Sequence, residues 1–115
     1  MLGGDLKLVS KIMMEDPKSY TLWSYRQWLI LKLYDIDKSI LVKEKELCKM
    51  MLMKDEKNFH VWNYRNWVNS VGLNIEAELE FTKSKINSNP FNFSPYHFRS
   101  KYLIKKYDLA LQTED

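Results

Sequence analysis

The sequence predicts an all-α protein, and three observations favour this fold class: few turn-forming residues, apolar residues at helical spacing, and an internal repeat. Only three glycines and three prolines occur in 115 residues. An all-β protein needs a turn about every 8–12 residues, so this chain has too few turn formers for one. Its 45% of apolar residues favours a packed core over disorder. We expect residues 1–115 to form one domain, given their number.

Three segments place their apolar residues on one helical face. The first follows Asp5, a predicted N-cap, and contains Leu6, Val9, Ile12 and Met13. The second follows Asp37, in the same predicted role, and contains Ile40, Leu41, Leu47, Cys48, Met51 and Leu52. The third has Asn74 as its predicted cap and Glu76 in its first turn, and contains Leu79, Phe81, Ser84 and Ile86.

Three other segments, residues 16–29, 55–68 and 90–103, align with one another as an internal repeat. Trp23 lies 39 residues before Trp62, and Trp62 lies 34 residues before Tyr96. Every arginine falls at one position of the repeat, namely Arg26, Arg65 and Arg99. Each copy is predicted to be a helix, with an oxygen-bearing side chain near its start at Ser19 or Tyr20, Asn58 and Ser94.

The repeating unit is therefore a pair of helices, which stacks on its neighbours because neither helix buries its apolar stripe alone. All four tryptophans occupy equivalent positions in the first two copies: Trp23 and Trp28, then Trp62 and Trp67. We expect all four to be core residues that pack between helices. We expect the arginines to be structural, each tying its helix to carbonyl groups or to a carboxylate of the next pair.

The pattern Trp-x-x-Arg-x-Trp, after a turn of the form acidic-x-Lys-polar-aromatic, resembles the protein prenyltransferase α-subunit repeat. Within that family, the chain is most similar to the α subunits of Rab geranylgeranyltransferases (type II). This likeness rests on Lys18-Ser19-Tyr20, Asn58-Phe59-His60 and the third copy. The resemblance implies three repeats, at 5–35, 37–72 and 74–107. It also implies an α-α superhelix, a right-handed stack of about three antiparallel hairpins. Family subunits have more repeats, so we expect this chain to be a fragment of a longer subunit.

The third copy departs from the family pattern at two positions. Tyr96 stands where the family usually has tryptophan, and Pro95 lies in the expected first turn of its helix.

By this resemblance, the chain is one subunit of a heterodimeric cytoplasmic enzyme. A partner β subunit holds a catalytic zinc ion and the isoprenoid pocket. The zinc-activated thiolate of a C-terminal cysteine in a Rab GTPase, delivered by a Rab escort protein, attacks geranylgeranyl diphosphate. We expect no cofactor in this chain itself and no catalysis by the chain alone.

The resemblance also assigns site residues. The family's diphosphate-contacting lysine corresponds to Lys18, and a nearby hydrogen-bonding tyrosine corresponds to Tyr20. Asn58 and His60 line the same mouth in the next copy, where Lys57 takes the place of Lys18. Elementary electrostatics agrees, because a lysine just before a helix adds its charge to free N–H groups that already favour an anion.

Other kinds of site are not indicated. Cys48, His60 and His97 lack the spacing of metal ligands, and Gly72 stands outside any glycine-rich phosphate loop. Cys48 lies in an apolar stripe, where a buried, unreactive thiol is expected. The net charge is only +3 and its lysines alternate with acids, so no nucleic-acid surface is expected. No apolar run approaches the roughly 18–20 residues of a membrane span.

Two alternative functions remain at this stage. One is the shared α subunit of farnesyltransferase and geranylgeranyltransferase type I, in which the same residues take the same roles. The other is a peptide-binding tetratricopeptide-like scaffold. Its expected W-x₂-L-G-x₂-Y core is absent, and Arg26 and Arg65 stand where it requires leucine.

Overall fold

The computed structural model describes residues 2–112, which form six α-helices and no strand. The helices are α1 (Leu2–Glu15), α2 (Tyr20–Tyr34), α3 (Ile40–Lys54), α4 (Phe59–Val71), α5 (Ile75–Ser88) and α6 (Ser94–Gln112). The predicted all-α fold is thereby confirmed, and each copy of the repeat forms a helix: α2, α4 or α6. None of the helices in the described part of the chain is both long and apolar enough to span a membrane.

The helices belong to two compact units, of which the first ends at Val68 and the second begins at Asn69. In the first unit α1 packs on α2, and α2 packs on α3. In the second unit α5 packs on α6. Each of these three contacts joins consecutive helices, as expected for short connections between elements that each have one apolar face.

Asparagine and serine side chains accept hydrogen bonds from backbone N–H groups at the start of several of these helices. Ser19 Oγ accepts a hydrogen bond from the backbone N–H of Leu22 at 3.4 Å. Asn74 Oδ1 accepts one from the N–H of Ala77 at 3.1 Å, which confirms the predicted cap of α5. At the third copy the accepting oxygen belongs to Asn92, which binds the N–H of Ser94 at 3.3 Å. Ser94 is the first residue of α6 and not its cap.

The two aspartate caps predicted from the sequence are wrong. Asp5 lies inside the first turns of α1, which already begins at Leu2. Asp37 instead stabilises the turn just before α3. Its Oδ1 accepts hydrogen bonds from the Ser39 N–H at 3.0 Å and from the Ser39 hydroxyl at 2.7 Å. Ser39 is the residue before α3. Aspartate favours both caps and such local turns, so residue type alone did not separate them.

Two of the four tryptophans are buried in the core, one is partly buried and one is exposed. Trp23 and Trp62 are buried, whereas Trp67 is partly buried and Trp28 is 50% exposed. The prediction that Trp28 packs in the core is wrong. It follows Trp23 by five residues, about 140° around the helix axis, so it lies on a different face of α2. Leu29 and Ile30 fill the core at this level instead.

The cap of α5 yields a stability prediction. Asn74→Ala removes the acceptor for the Ala77 N–H and is expected to lower the free energy of unfolding by about 1 kcal/mol. Asn87→Ala is the matched control, because Asn87 is exposed in the last turns of α5 and alanine favours helix. Urea denaturation followed by circular dichroism measures both. Equal stability of Asn74→Ala and the wild type would contradict the assigned cap.

Candidate functional site

The turn before each copy of the repeat is fixed by the same hydrogen bond. The aromatic side chain at the first tryptophan position donates to the backbone carbonyl six residues earlier. The bonds are Trp23 Nε1 to Pro17 O at 2.8 Å, Trp62 Nε1 to Glu56 O at 2.9 Å and Tyr96 Oη to Pro90 O at 3.0 Å. The tyrosine of the third copy thus preserves the bond with its hydroxyl group. The turns that carry Lys18 and Lys57 are held against their helices in this way.

The repeated arginines tie helices together, which confirms their predicted structural role. Arg65 donates from Nη1 to the carbonyl of Lys45 in α3 at 3.0 Å. Arg99 donates from Nη1 to the carbonyl of Leu79 in α5 and lies 3.4 Å from Thr82 Oγ1. These two carbonyls belong to the preceding helix, whereas Arg26 reaches a carboxylate on the following one.

That carboxylate is the centre of a buried network that includes one residue from each of four helices. Glu44 in α3 accepts from Arg26 Nε at 2.7 Å and from Arg26 Nη2 at 2.8 Å. Tyr64 in α4 donates its hydroxyl to Glu44 at 2.5 Å, and Arg26 Nη1 donates to Ser10 Oγ in α1 at 2.7 Å. The Arg26 and Glu44 side chains are only 3% and 2% exposed, so the pair is removed from water.

Burial and the charge pair set the protonation of this network. Burial works against the charged guanidinium of Arg26, but the hydrogen bond and negative charge of Glu44 outweigh it and raise the pKa of Arg26. Burial also raises the pKa of the Tyr64 phenol well above its ordinary value, and the neighbouring charge of Glu44 adds to this effect. Arg26 therefore stays charged and Tyr64 stays neutral across the physiological range.

A cleft of about 170 Å³ lies beside this network, between α2 and α4. The rings of Tyr20 and His60 meet edge to face, with 4.5 Å between their centroids. The wall of the cleft includes Tyr64, whose ring centroid lies 4.8 Å from that of Trp23. The lining residues are Tyr20, Trp23, Ser24, Gln27, His60, Asn63 and Tyr64. Aromatic faces combined with amide and hydroxyl groups provide an apolar surface with a few directed hydrogen-bonding groups.

The five predicted site residues differ from one another in exposure and position. It brings together Tyr20, which is 68% exposed at the start of α2, and His60, which is partly buried at the start of α4. Lys18 and Lys57 are exposed, each in the turn before its helix. Asn58 is 4% exposed, and its Oδ1 accepts from the His60 N–H at 3.1 Å. Asn58 therefore acts on the backbone of the next turn, and its side chain is largely withdrawn from solvent.

Five lining residues of the cleft were not singled out as functional from the sequence: Trp23, Ser24, Gln27, Asn63 and Tyr64. Helical spacing was the available signal. Residues three, four and seven positions after Tyr20, and three and four after His60, share a face with those residues. That rule indicates which side chains line α2 and α4, but it does not show that the two faces lie next to each other.

In the described residues, no group of three or more histidine, cysteine or acidic side chains is placed to hold a metal ion. Cys48 is buried in α3 and is not in a disulfide. The prediction of a buried thiol is confirmed.

Comparison with protein-family models identifies the repeat. The model of the protein prenyltransferase alpha subunit repeat matches residues 2–33, 41–70 and 75–105. The chain belongs to this family. The first segment covers α1 and nearly all of α2, the second nearly all of α3 and α4, and the third α5 and the N-terminal part of α6. Neither the search of curated proteins nor the search of solved structures found a significant match. Membership of this α-subunit family implies that the chain has a β-subunit partner.

The raised pKa of Tyr64 predicts how the stability of this prenyltransferase α-subunit protein varies in alkali. The folded chain keeps Tyr64 protonated, whereas the unfolded chain ionises it near the ordinary tyrosine pKa of about 10. Ionisation then favours the unfolded state, so this contribution to stability is complete below pH of about 10 and is lost as the pH rises further.

The free energy of unfolding, measured by urea titration between pH 8 and 11, isolates this contribution when the wild type is compared with Tyr64→Phe. The wild type is expected to lose stability more steeply above pH of about 10 than the variant. Parallel curves for the two proteins would show that Tyr64 ionises alike in the folded and unfolded states.

Proposed function

We propose that this chain is the α subunit, or part of the α subunit, of a cytoplasmic Rab geranylgeranyltransferase. In this role it supplies Lys18 and Tyr20 to the diphosphate of geranylgeranyl diphosphate and supports a zinc-bearing β subunit. The acceptor is a C-terminal cysteine of a Rab GTPase presented by a Rab escort protein. The family match supports the α-subunit role, and the pairing of Tyr20 with His60 beside the cleft is the observation that carries the choice of site.

Lys18 suits a role at the leaving diphosphate. Its side chain is exposed in the turn before α2, where the free N–H groups and the dipole of the helix also favour negative charge. Negative charge grows on the diphosphate as its bond to the isoprenoid carbon breaks. A cation placed at that position therefore stabilises the transition state more than the ground state.

Tyr20 and His60 act together in this proposal. The Tyr20 hydroxyl donates a hydrogen bond to a diphosphate oxygen, and the edge-to-face contact with His60 limits the positions that the Tyr20 ring adopts. Asn58 supports His60, because it binds the N–H of that residue at the start of α4. Lys57, exposed in the equivalent turn of the second copy, adds positive charge to the surface offered to the partner or substrate.

The remaining chemistry belongs to the partner in this proposal. A zinc ion held by the β subunit would stabilise the thiolate of the acceptor cysteine, the form that attacks carbon. The chain described here contributes cations, hydrogen bonds and a scaffold, so the purified chain alone should transfer no lipid. Turnover by the isolated chain would contradict this division of roles.

Lys18→Ala tests the proposal in the heterodimer reconstituted with the cognate β subunit. Loss of one cation at the leaving group is expected to raise the barrier by about 2–4 kcal/mol, a fall of roughly 30- to 900-fold in the rate of transfer. The measurement is transfer of labelled geranylgeranyl to a Rab GTPase in the presence of its escort protein. Lys49→Ala is the matched control, since Lys49 is an exposed lysine of α3 that does not line the cleft.

A rate for Lys18→Ala equal to that of Lys49→Ala would remove Lys18 from the site. The same assay separates the two kinds of prenyltransferase. Transfer to short C-terminal peptides without the escort protein would instead identify the shared α subunit of farnesyltransferase and geranylgeranyltransferase type I.

A further inference from the structure

Tyr64 belongs to two structures at once, the buried charge network and the wall of the cleft. Its hydroxyl donates to Glu44 at 2.5 Å, and that carboxylate is itself held by two hydrogen bonds from Arg26. Its ring lines the cleft that Tyr20 and His60 also line. The Tyr64 hydroxyl is thus bonded to the ion pair of Arg26 and Glu44, while the Tyr64 ring lines the candidate site.

The hydroxyl group of Tyr64 is not a requirement of the repeat. The equivalent residue of the third copy is Phe98, which is buried and has no hydroxyl group. The equivalent residue of the first copy is Tyr25, which is 43% exposed and stacks on Trp28 at 6.2 Å. A phenylalanine therefore satisfies the packing at this position, and the buried hydroxyl occurs only in α4, one of the two helices that line the cleft.

The ion pair of Arg26 and Glu44, which holds Tyr64, is not explained by core stability alone. Removing two charges from water has a large free-energy cost, and well-packed apolar side chains of similar volume are often as stable or more stable. What such a pair provides is direction, because a bidentate guanidinium–carboxylate contact fixes the carboxylate in one orientation. The hydroxyl of Tyr64 binds an acceptor that cannot rotate away.

We propose that Tyr64 is a positioning residue of the candidate site. Glu44 locks the phenol, and the locked ring, together with Trp23, forms the wall that keeps Tyr20 and His60 in place for the diphosphate. The inference rests on the proposed prenyl-transfer function only in what the site is used for. The locking itself is a property of this chain.

The test replaces the hydroxyl and leaves the ring. In the reconstituted heterodimer, Tyr64→Phe is expected to lower kcat about tenfold while the KM for geranylgeranyl diphosphate changes less than about twofold, because orientation and not contact is lost. Tyr102→Phe is the structural control, since it also removes a buried hydroxyl bond, that between Tyr102 and Asn69 at 2.8 Å. Tyr25→Phe controls for loss of an exposed hydroxyl at the equivalent repeat position.

A second measurement needs no catalysis. The full chain contains only two histidines, so ring-proton NMR resolves His60 and His97 separately. In Tyr64→Phe the His60 resonance is expected to shift, because the Tyr20 ring lies 4.5 Å from it and moves relative to it. The His97 resonance is expected to stay in place, and Tyr102→Phe is expected to leave His60 unchanged.

The outcomes distinguish the two proposals. An unshifted His60 resonance in Tyr64→Phe overturns the positioning role whether or not the enzyme is active. Kinetic constants equal to those of Tyr102→Phe overturn it as well. A shifted His60 resonance in Tyr64→Phe, together with a wild-type heterodimer that transfers no prenyl group, would leave the positioning role standing and would count against the proposed function alone.

Discussion

The buried pair of Arg26 and Glu44 is the constraint on which the first unit of the chain depends. Through Ser10 and Tyr64 it connects α1, α2, α3 and α4 by hydrogen bonds of 2.5 to 2.8 Å. Apolar packing alone allows helices to slide or rotate slightly against one another, since dispersion and burial have little direction. Hydrogen bonds to a buried charge do have direction, so this network fixes the register of four helices with few residues.

The three copies of the repeat share one rule and differ in how they use it. In every copy an aromatic side chain bonds to the carbonyl six residues earlier, and an arginine ties the helix to a neighbouring helix. Two of the arginines bind backbone carbonyls, whereas Arg26 binds a carboxylate. The arginine bound to a carboxylate belongs to the network that shares Tyr64 with the cleft of Tyr20 and His60. The same position of the repeat is thus used in two ways, to reach a backbone carbonyl or to reach a buried carboxylate.

The helices and the repeat register could be predicted because they depend on local patterns: apolar spacing, few turn formers, and recurring tryptophan and arginine. The prediction that Trp28 is buried is wrong because burial depends on which faces of α2 other helices cover. Its spacing from Trp23 shows that the two side chains lie on different faces, but it does not show which faces are covered. The partnership of Glu44 with Arg26 and Tyr64 was also missed, because residues 18 and 20 positions apart meet only after the helices pack. The family resemblance implies that Tyr20 and His60 line one mouth, but their ring contact depends on how α2 and α4 pack and was not predicted.

One buried charge pair organises both the helices and the wall of the cleft. A double-mutant cycle with Arg26→Met and Glu44→Met measures the coupling within this pair through the free energy of unfolding. Each single replacement leaves an uncompensated buried charge and is expected to cost about 3–5 kcal/mol, whereas the double replacement costs much less. We therefore expect a coupling of several kcal/mol. Additive losses, with a coupling near zero, would show that the two side chains do not act as a pair and would contradict their organising role.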